Sequence, residues 1–423
     1  FANIGYADLN KLNLYKTDSI AVLSGIVEAD FSHINAVGDI EGIIAGSGLS
    51  FKNSKGTHAL NSLFLESKRI DSTTFRAALQ SDALNVSYSG GIGLIHFVSE
   101  VYDRFLAKHI PAFFTSAVAD SLVSVTGILP AARLEAEVQN SAFLEELFLP
   151  GLFISPQTRL IMASSRIDSL ELRFNSPRIG YQKHNIKDLQ ILATGGKQGI
   201  SAGINCQNLT IGSIPVENVS LMMTGSNNTL TAGLKTGYQN APGNRSDITA
   251  SFIFSRDDSS QTPVIECRIP SSPIVVDNKV WTLSADSVIL SGKNISFNKF
   301  RLQHSTPPGR FENITLAGIL SENPADTLKV TLHDFDASML NPFFPAEYPF
   351  TIKGSFSGKG SITDFYGSRY LFVDLTGKNF YVNDTLAGDL RVLSSWNQEQ
   401  GQFKLGSSLT LPDGRRPLIA TGS

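Results

Sequence analysis

Apolar and polar residues alternate in short runs from about Ser164 to the end of the chain. Leu371, Val373 and Leu375 fall on one side of such a run, and Phe403, Leu405, Leu409 and Leu411 fall on one side of another, because successive strand side chains point to opposite faces. Turn signals separate the runs at close spacing, as at Gly195-Gly196, Pro242-Gly243, Pro308-Gly309 and Asp413-Gly414. Asp277-Asn278, set between Ile274-Val-Val276 and Val280-Trp-Thr-Leu283, reads as a hairpin. Strands this dense, joined by turns this short, predict antiparallel pairing, since parallel crossovers need a dozen or more residues.

Residues 1–93 read the same way, with Leu12-Asn-Leu14, Ile20-Ala-Val22 and Leu49-Ser-Phe51 as strand pieces. A helical period then takes over: Leu94, Val98, Val101, Phe105 and His109 recur at three-to-four spacing, with Gly93 before them and Pro111 after. A second short helix is expected over Ser141–Phe148, closed by Pro150-Gly151. The expected organisation is therefore a β segment over 1–93, a helix-containing insertion or connection over 94–150, and a β segment over 151–423.

A weak unit, apolar-x-x-apolar-x-apolar, occurs at Leu60/Leu63/Leu65, Ile167/Leu170/Leu172, Ile186/Leu189/Ile191, Val216/Val219/Leu221, Phe297/Phe300/Leu302 and Phe311/Ile314/Leu316. With 42% of residues hydrophobic, such windows recur by chance, so the unit carries weight only through its setting after a strand and a polar corner. The fixed period of a leucine-rich repeat is missing.

Charged residues make up 17% of the chain, below the roughly 25% usual for soluble domains, and the net charge is −3. No basic stripe with interleaved aromatics is present, which argues against nucleic acid as a partner. No run reaches the roughly 18 apolar residues of a membrane-spanning helix. The chain opens on Phe1 without an initiator Met and stops at Ala420-Thr-Gly-Ser423, so it is expected to be a fragment.

Candidate chemistry is sparse. Gly90-Gly-Ile-Gly93 leads into the first helix but lacks the rest of a dinucleotide or phosphate-loop fingerprint, and reads as a strand-to-helix turn. Gly195-Gly-Lys197 reads as a hairpin tip. In His333-Asp334-Phe335-Asp336 the two carboxylates share a face, which would make at most a weak cation site; a polar strand end is the better account. The remaining histidines stand singly, so no catalytic residue, metal site or cofactor is expected. Cys206 and Cys267 read as small buried or half-buried strand residues, with a disulfide open to them in an oxidising compartment. Asp followed by Ser or Thr recurs at Ser19, Ser72, Ser121, Ser169, Ser287, Thr327 and Thr385. These read as turn openers, with O-glycosylation of exported proteins as the sharper alternative.

Three stretches resemble the TamB family of the AsmA-like superfamily. They are Tyr102-Asp-Arg-Phe-Leu-Ala-Lys-His-Ile-Pro-Ala-Phe-Phe114; Pro273-Ile-Val-Val-Asp-Asn-Lys-Val-Trp-Thr-Leu283 leading to Ile295-Ser-Phe-Asn-Lys-Phe-Arg-Leu302; and Gly354-Ser-Phe-Ser-Gly-Lys-Gly-Ser-Ile362 with Phe380–Leu390 and Ser395-Trp-Asn397. The resemblance implies a mostly β fold, a long curled antiparallel sheet forming an open apolar groove, with one or two short helices near 94–110 and 141–148. It implies a non-enzymatic protein of the Gram-negative periplasm, anchored to the inner membrane through an amino-terminal segment missing here. Such a protein holds phospholipid acyl chains for passage toward the outer membrane. The alternative it implies is a scaffold for outer-membrane protein assembly, adding strands beside an Omp85-family barrel. On this reading the groove lining comprises Phe297, Leu302, Leu328, Val330, Leu332, Leu371, Val373, Leu375, Val392, Phe403 and Leu405.

Overall fold

The computed structural model of the chain describes residues 2–16, 18–34, 40–101, 106–114, 131–165, 169–212, 214–237, 243–276, 278–306, 310–343, 350–397, 402–411, 413–415 and 418–422. It divides into two compact units, Phe1–Asn228 and Thr229–Ser423. Both are mostly β, and in both the strands run antiparallel, as the short turns require.

The first unit contains β1 (Ala2–Asp8), β2 (Val22–Ile34), β3 (Ile40–Asn53), β4 (Gly56–Asp71), β5 (Thr74–Ser81), β6 (Leu84–Gly90), α1 (Leu94–Val101), β7 (Ala132–Val138), α2 (Ala142–Phe148), β8 (Leu152–Ile154), β9 (Arg159–Ser165), β10 (Ser169–Tyr181), β11 (His184–Gly195), β12 (Ile200–Ile211) and β13 (Ile214–Ser226). Each strand from β1 to β7 pairs with the next. β7 then pairs with β9, and β9 with β10, while the short β8 lies along the other half of β10. Within the segment 94–150, expected as a helix-containing insertion or connection, β7 lies in the sheet between β6 and β9.

Both helices lie over the apolar side of this sheet. Phe97 of α1 is fully buried among Phe75, Tyr88, Leu134 and Leu170, and its ring lies 5.5 Å from that of Tyr88. Phe143 of α2 is buried with Leu49, Phe51 and Leu60, together with Leu9, Tyr15 and Ala21 from the β1–β2 connection. Glu146 ties α2 down: its carboxylate accepts from Asn53 Nδ2 at 2.9 Å and Lys55 Nζ at 3.0 Å, and its carbonyl from Tyr15 Oη at 2.9 Å. Of the helix expected through His109, α1 covers Leu94–Val101; Tyr102–Phe105 lie outside the described residues, Leu106-Ala107 are π-helical, and Lys108-His109 lie in a turn. His109 is buried, with Nε2 2.8 Å from the carbonyl of Gly196 at the β11–β12 turn.

The second unit contains β14 (Thr229–Thr236), β15 (Arg245–Arg256), β16 (Pro263–Val276), β17 (Lys279–Ser291), β18 (Asn294–Thr306), β19 (Arg310–Leu320), β20 (Thr327–Asp336), a 3-10 helix (Ala337–Phe343), β21 (Ile352–Thr363), β22 (Tyr370–Val382), β23 (Thr385–Asn397), β24 (Gln402–Thr410) and β25 (Leu418–Gly422). Every strand pairs with its successor. No described pairing joins β14 to β25, so the sheet is open and not a closed barrel. The expected β16–β17 hairpin is present, Val276 pairing with Lys279 and Asn278 standing at φ 62°; Asp277 lies outside the described residues.

Single residues in the left-handed region interrupt the strands at matching places. Asp188, Asn218, Lys299, Asp334 and Asn379 have φ between 45° and 53°. In β18, β20 and β22 the residue lies at a register shift, so one extra residue is taken up as a bulge. The bulge puts positions i and i+3 on the same face, where strict alternation would separate them. This gives the weak sequence unit a physical basis: Asp188, Asn218 and Lys299 each occupy the second spacer position of a copy. The copy at Phe311 has no such residue, and there the register places Phe311 on the side opposite Ile314, 45% exposed.

Candidate functional site

The strand register of the second unit decides which residues share a side, since directly paired residues in an antiparallel ladder project to the same face. Starting from Leu302 on β18, the partners run to Ile314, Leu332, Gly358, Leu375, Val392 and Ser407. A parallel row runs from Leu316 through Val330, Gly360, Val373, Ser394 and Leu405. A third joins Phe297, Gly318, Leu328, Ile362 and Leu371. Ten of the residues assigned to a lining from sequence therefore lie on one face: Phe297, Leu302, Leu328, Val330, Leu332, Leu371, Val373, Leu375, Val392 and Leu405. The backbone of Phe403 pairs with that of Trp396; its side chain lies outside the described residues.

Most of these side chains are half-buried by lateral packing against neighbours on adjacent strands, while Leu371 and Leu405 remain 39% and 42% exposed. Among the described residues on this face from β18 to β24, ionisable groups occur only at the margin, as the register pair His304 and Glu312. The opposite face carries the charge, as in the Asp374–Arg391 and Asp286–Lys299 ion pairs.

One end of the apolar face is closed over. Trp281 of β17 is fully buried and meets His304 at 5.3 Å and Phe335 of β20 at 6.2 Å between ring centroids. Its indole N–H has no hydrogen-bond partner. Ala337, Ile352 and Phe356 form a core with Leu332, Leu375, Phe380 and Leu390 beneath the 3-10 helix. Asn341 fixes that helix by exchanging two hydrogen bonds with the backbone of Ile352, at 2.8 and 3.0 Å. Lys279 Nζ donates to Asp336 at 2.8 Å and to Glu312 at 3.4 Å, tying β17, β19 and β20 together. Burial works to raise the Asp336 carboxyl, but the Lys279 ammonium and Ser338 outweigh it and hold the group below its ordinary value. Burial likewise disfavours charge on Lys279, and its two carboxylates leave it raised.

Several sequence candidates have structural occupations. Asp334 accepts from the Ser357 hydroxyl at 3.1 Å, and Asp336 from Lys279, so the strand-end reading of this segment describes their contacts. Among the described residues no three His, Cys, Asp or Glu side chains gather in a metal-binding group. Cys206 is buried in the first unit and Cys267 half-buried in the second; both thiols are free, and burial raises both. Of the glycosylation candidates, Ser19, Ser72, Ser169 and Thr385 are exposed. Ser287 is buried in β17, Thr327 shares a hydrogen bond with Thr363, and Ser121 lies outside the described residues. A cavity of about 770 Å³ on the polar side of β4–β7 is lined by Asp82, Glu135 and Arg159 among others. Glu135 is already engaged there: hydrogen bonds from Arg159 and Arg133 hold it below the usual carboxylate range.

Sequence reasoning missed Trp281, Phe300, Phe335, Phe356 and Ser394 on the apolar face. Phe300 was visible as the middle apolar position of a sequence unit. Phe335 was hidden because its distance of three from Leu332 breaks the alternation, and only the bulge at Asp334 restores it.

Fold and face together define an open antiparallel β-sheet protein with one apolar and one polar side. Compared with known proteins, the chain matches no protein-family model, no curated protein and no solved structure.

Proposed function

We propose that the protein is a non-enzymatic carrier that holds lipid acyl chains against the apolar face of its second unit. The observation that supports this most is the lack of ionisable side chains, among the described residues, across the interior of that face from β18 to β24, with Leu371 and Leu405 still open to solvent. Transfer of acyl chain out of water is favourable by about 0.8 kcal/mol per CH₂, so a free two-chain lipid in water is disfavoured by roughly 20 kcal/mol or more. A sheet that offers an apolar surface lowers that barrier without making or breaking a covalent bond. The resemblance of three segments to the TamB family supports the same reading, with phospholipid as the cargo and the periplasm as the place.

The test is lipid transfer by the full chain between diacylphospholipid vesicles, together with mass spectrometry of lipid that co-purifies with it. Val373→Arg with Leu405→Arg puts two charges on the face, on either side of Ser394 in the ladder. The double variant is expected to keep its far-ultraviolet circular dichroism and to lose bound lipid and transfer. Normal transfer by the folded double variant, or no lipid with the unaltered chain, overturns the proposal.

A further inference from the structure

The connections at one end of the first unit's strands hold large apolar side chains out in water. Leu12 and Leu14 of the β1–β2 connection are 58% and 73% exposed, and Phe148 and Leu149 at the end of α2 are 68% and 57% exposed. Phe153 of β8 and Tyr181 of β10 follow at 43% and 45%. Hydrogen bonds hold these connections side by side. Tyr15 Oη donates to the carbonyl of Glu146 at 2.9 Å, the Leu152 N–H to that of Leu149 at 3.0 Å, and the Gln182 N–H to that of Gly151 at 3.3 Å. The same elements bury Leu9, Tyr15 and Phe143 in a core that none of the six joins. A single exposed leucine is ordinary, whereas six large apolar residues on adjoining connections mark a surface that meets something apolar.

The charges around these residues say what that is. Asp8 accepts from the N–H groups of Asn10 and Lys11, both at 3.1 Å, and Asp18 from those of Ile20 at 3.0 Å and Ser54 at 3.1 Å. Glu145 accepts from the Ile154 N–H at 2.6 Å, and Glu146 is taken up by Asn53 and Lys55. The carboxylates are thus engaged by the protein itself. Lys16 and Lys183, on the same connections, are exposed and have no ion-pair partner among the described residues. Arg178 carries its charge over the ring of Phe153, 5.4 Å from the centroid. Apolar side chains on separate connections, flanked by uncompensated cations, suit a fluid surface that is apolar within and negative at its boundary. We infer that this end of the first unit docks on an anionic phospholipid bilayer. Leu12, Leu14, Phe148 and Leu149 enter the acyl boundary, and Lys16 and Lys183 meet the phosphates. The inference concerns the first unit and stands apart from the carrier reading, which places acyl chains on the second.

The experiment is co-sedimentation of the full chain with vesicles of phosphatidylglycerol or of phosphatidylcholine. The unaltered chain is expected to bind phosphatidylglycerol about tenfold or more tightly than phosphatidylcholine, the ratio two lysines at a charged surface supply, and less tightly as salt is added. Phe148→Ser with Leu149→Ser should weaken binding about a hundredfold, roughly tenfold for each side chain no longer buried. Leu12→Ser with Leu14→Ser, on a different connection, should do the same and decides the matter if the first pair disturbs the far-ultraviolet circular dichroism. Lys16→Glu with Lys183→Glu should remove the preference for phosphatidylglycerol. Ile95→Ser with Val98→Ser alters two exposed residues of α1, which follows the opposite end of β6, and should change nothing. No binding by the unaltered chain, equal binding to both lipids, full binding by the folded serine pairs, or an equal loss with the α1 pair overturns the inference. Self-association that the serine pairs abolish, without vesicle binding, assigns the surface to a second copy of the chain and also overturns it. Val373→Arg with Leu405→Arg should leave vesicle binding unchanged, and vesicle binding without lipid transfer counts against the carrier reading alone.

Discussion

Phe297 and Phe300 stand three residues apart on β18 and share a side of the sheet, their ring centroids 6.2 Å apart and their planes at 89°. Lys299, at φ 48°, makes this possible by taking up the extra residue of a bulge. A β-branched side chain is strongly disfavoured at positive φ. Lys299→Val is therefore expected to destabilise the second unit by about 1–2 kcal/mol, and Lys299→Gly to leave it unchanged or slightly more stable. The exposed ion pair of Lys299 with Asp286 contributes little, and Lys299→Asn controls for it. Urea unfolding followed by tryptophan fluorescence checks this, because both tryptophans, Trp281 and Trp396, belong to the second unit.

Gly318 faces that bulge from β19, at φ 116°, and a Cβ there would lie 2.1 Å from the carbonyl oxygen of Thr327. That contact is with backbone and cannot be relieved by a rotamer change. Gly318→Ala should therefore lower the unfolding midpoint more than Gly360→Ala, whose closest contact is 3.3 Å.

Trp281 is fully enclosed, whereas Trp396 is half-buried. Acrylamide is expected to quench only part of the emission, and Trp281→Phe to remove the protected component. Because the indole N–H is unpaired, Trp281→Phe should cost less than about 1 kcal/mol, while Trp281→Ala should cost about 3–5 kcal/mol.

The Lys279–Asp336 tether sets a pH window. The Asp336 carboxyl is depressed in the folded chain, so its contribution is full above its ordinary value near 4 and is lost as pH falls through the lower folded value. Lys279 is raised, so its contribution is full below its ordinary value near 10.5 and is lost as pH rises through the higher folded one. Asp257, held at about 2 by the Ser259 hydroxyl and the Ser260 N–H in the β15–β16 turn, adds to the acid limb between about pH 4 and 2. Asp336→Asn should weaken the fall of the thermal midpoint as pH drops through and below about 4.

Cys267 projects to the apolar face, paired in register with Phe252 and Val288, and is half-buried. Cys206 is buried in the other unit. Both thiols are raised by burial, so alkylation at neutral pH should be slow for each. Cys267 is expected to react first in the native chain, and bound diacyl lipid to slow its reaction several-fold while leaving Cys206 unaffected. Peptide mass spectrometry of timed iodoacetamide labelling reads both sites at once.

The strands and their faces were legible because a period of two survives wherever the ladder is regular: Leu328/Val330/Leu332 and Leu371/Val373/Leu375 needed no more than alternation. The bulges were not legible. Asp and Asn, which stand at four of the five non-glycine left-handed positions within strands, tolerate that region, but they also occur on solvated strand faces, so a lone one does not mark a bulge. What covers an apolar face was also beyond local pattern. Nothing near Phe97 or Phe143 says which strands they roof, since those contacts join residues far apart in the chain. Ser394 looked like one more polar letter between Leu393 and Ser395, and only its burial makes it notable.

In the second unit every strand's neighbours in space are its neighbours in sequence. Such a ladder behaves as a one-dimensional array, in which each rung depends mainly on the rungs beside it. Its length is then a modular quantity: a hairpin can be added or removed within the gene and the remainder still knows its register. The extent of the apolar face is thus adjustable in steps of two strands, each hairpin adding about 10 Å of ladder.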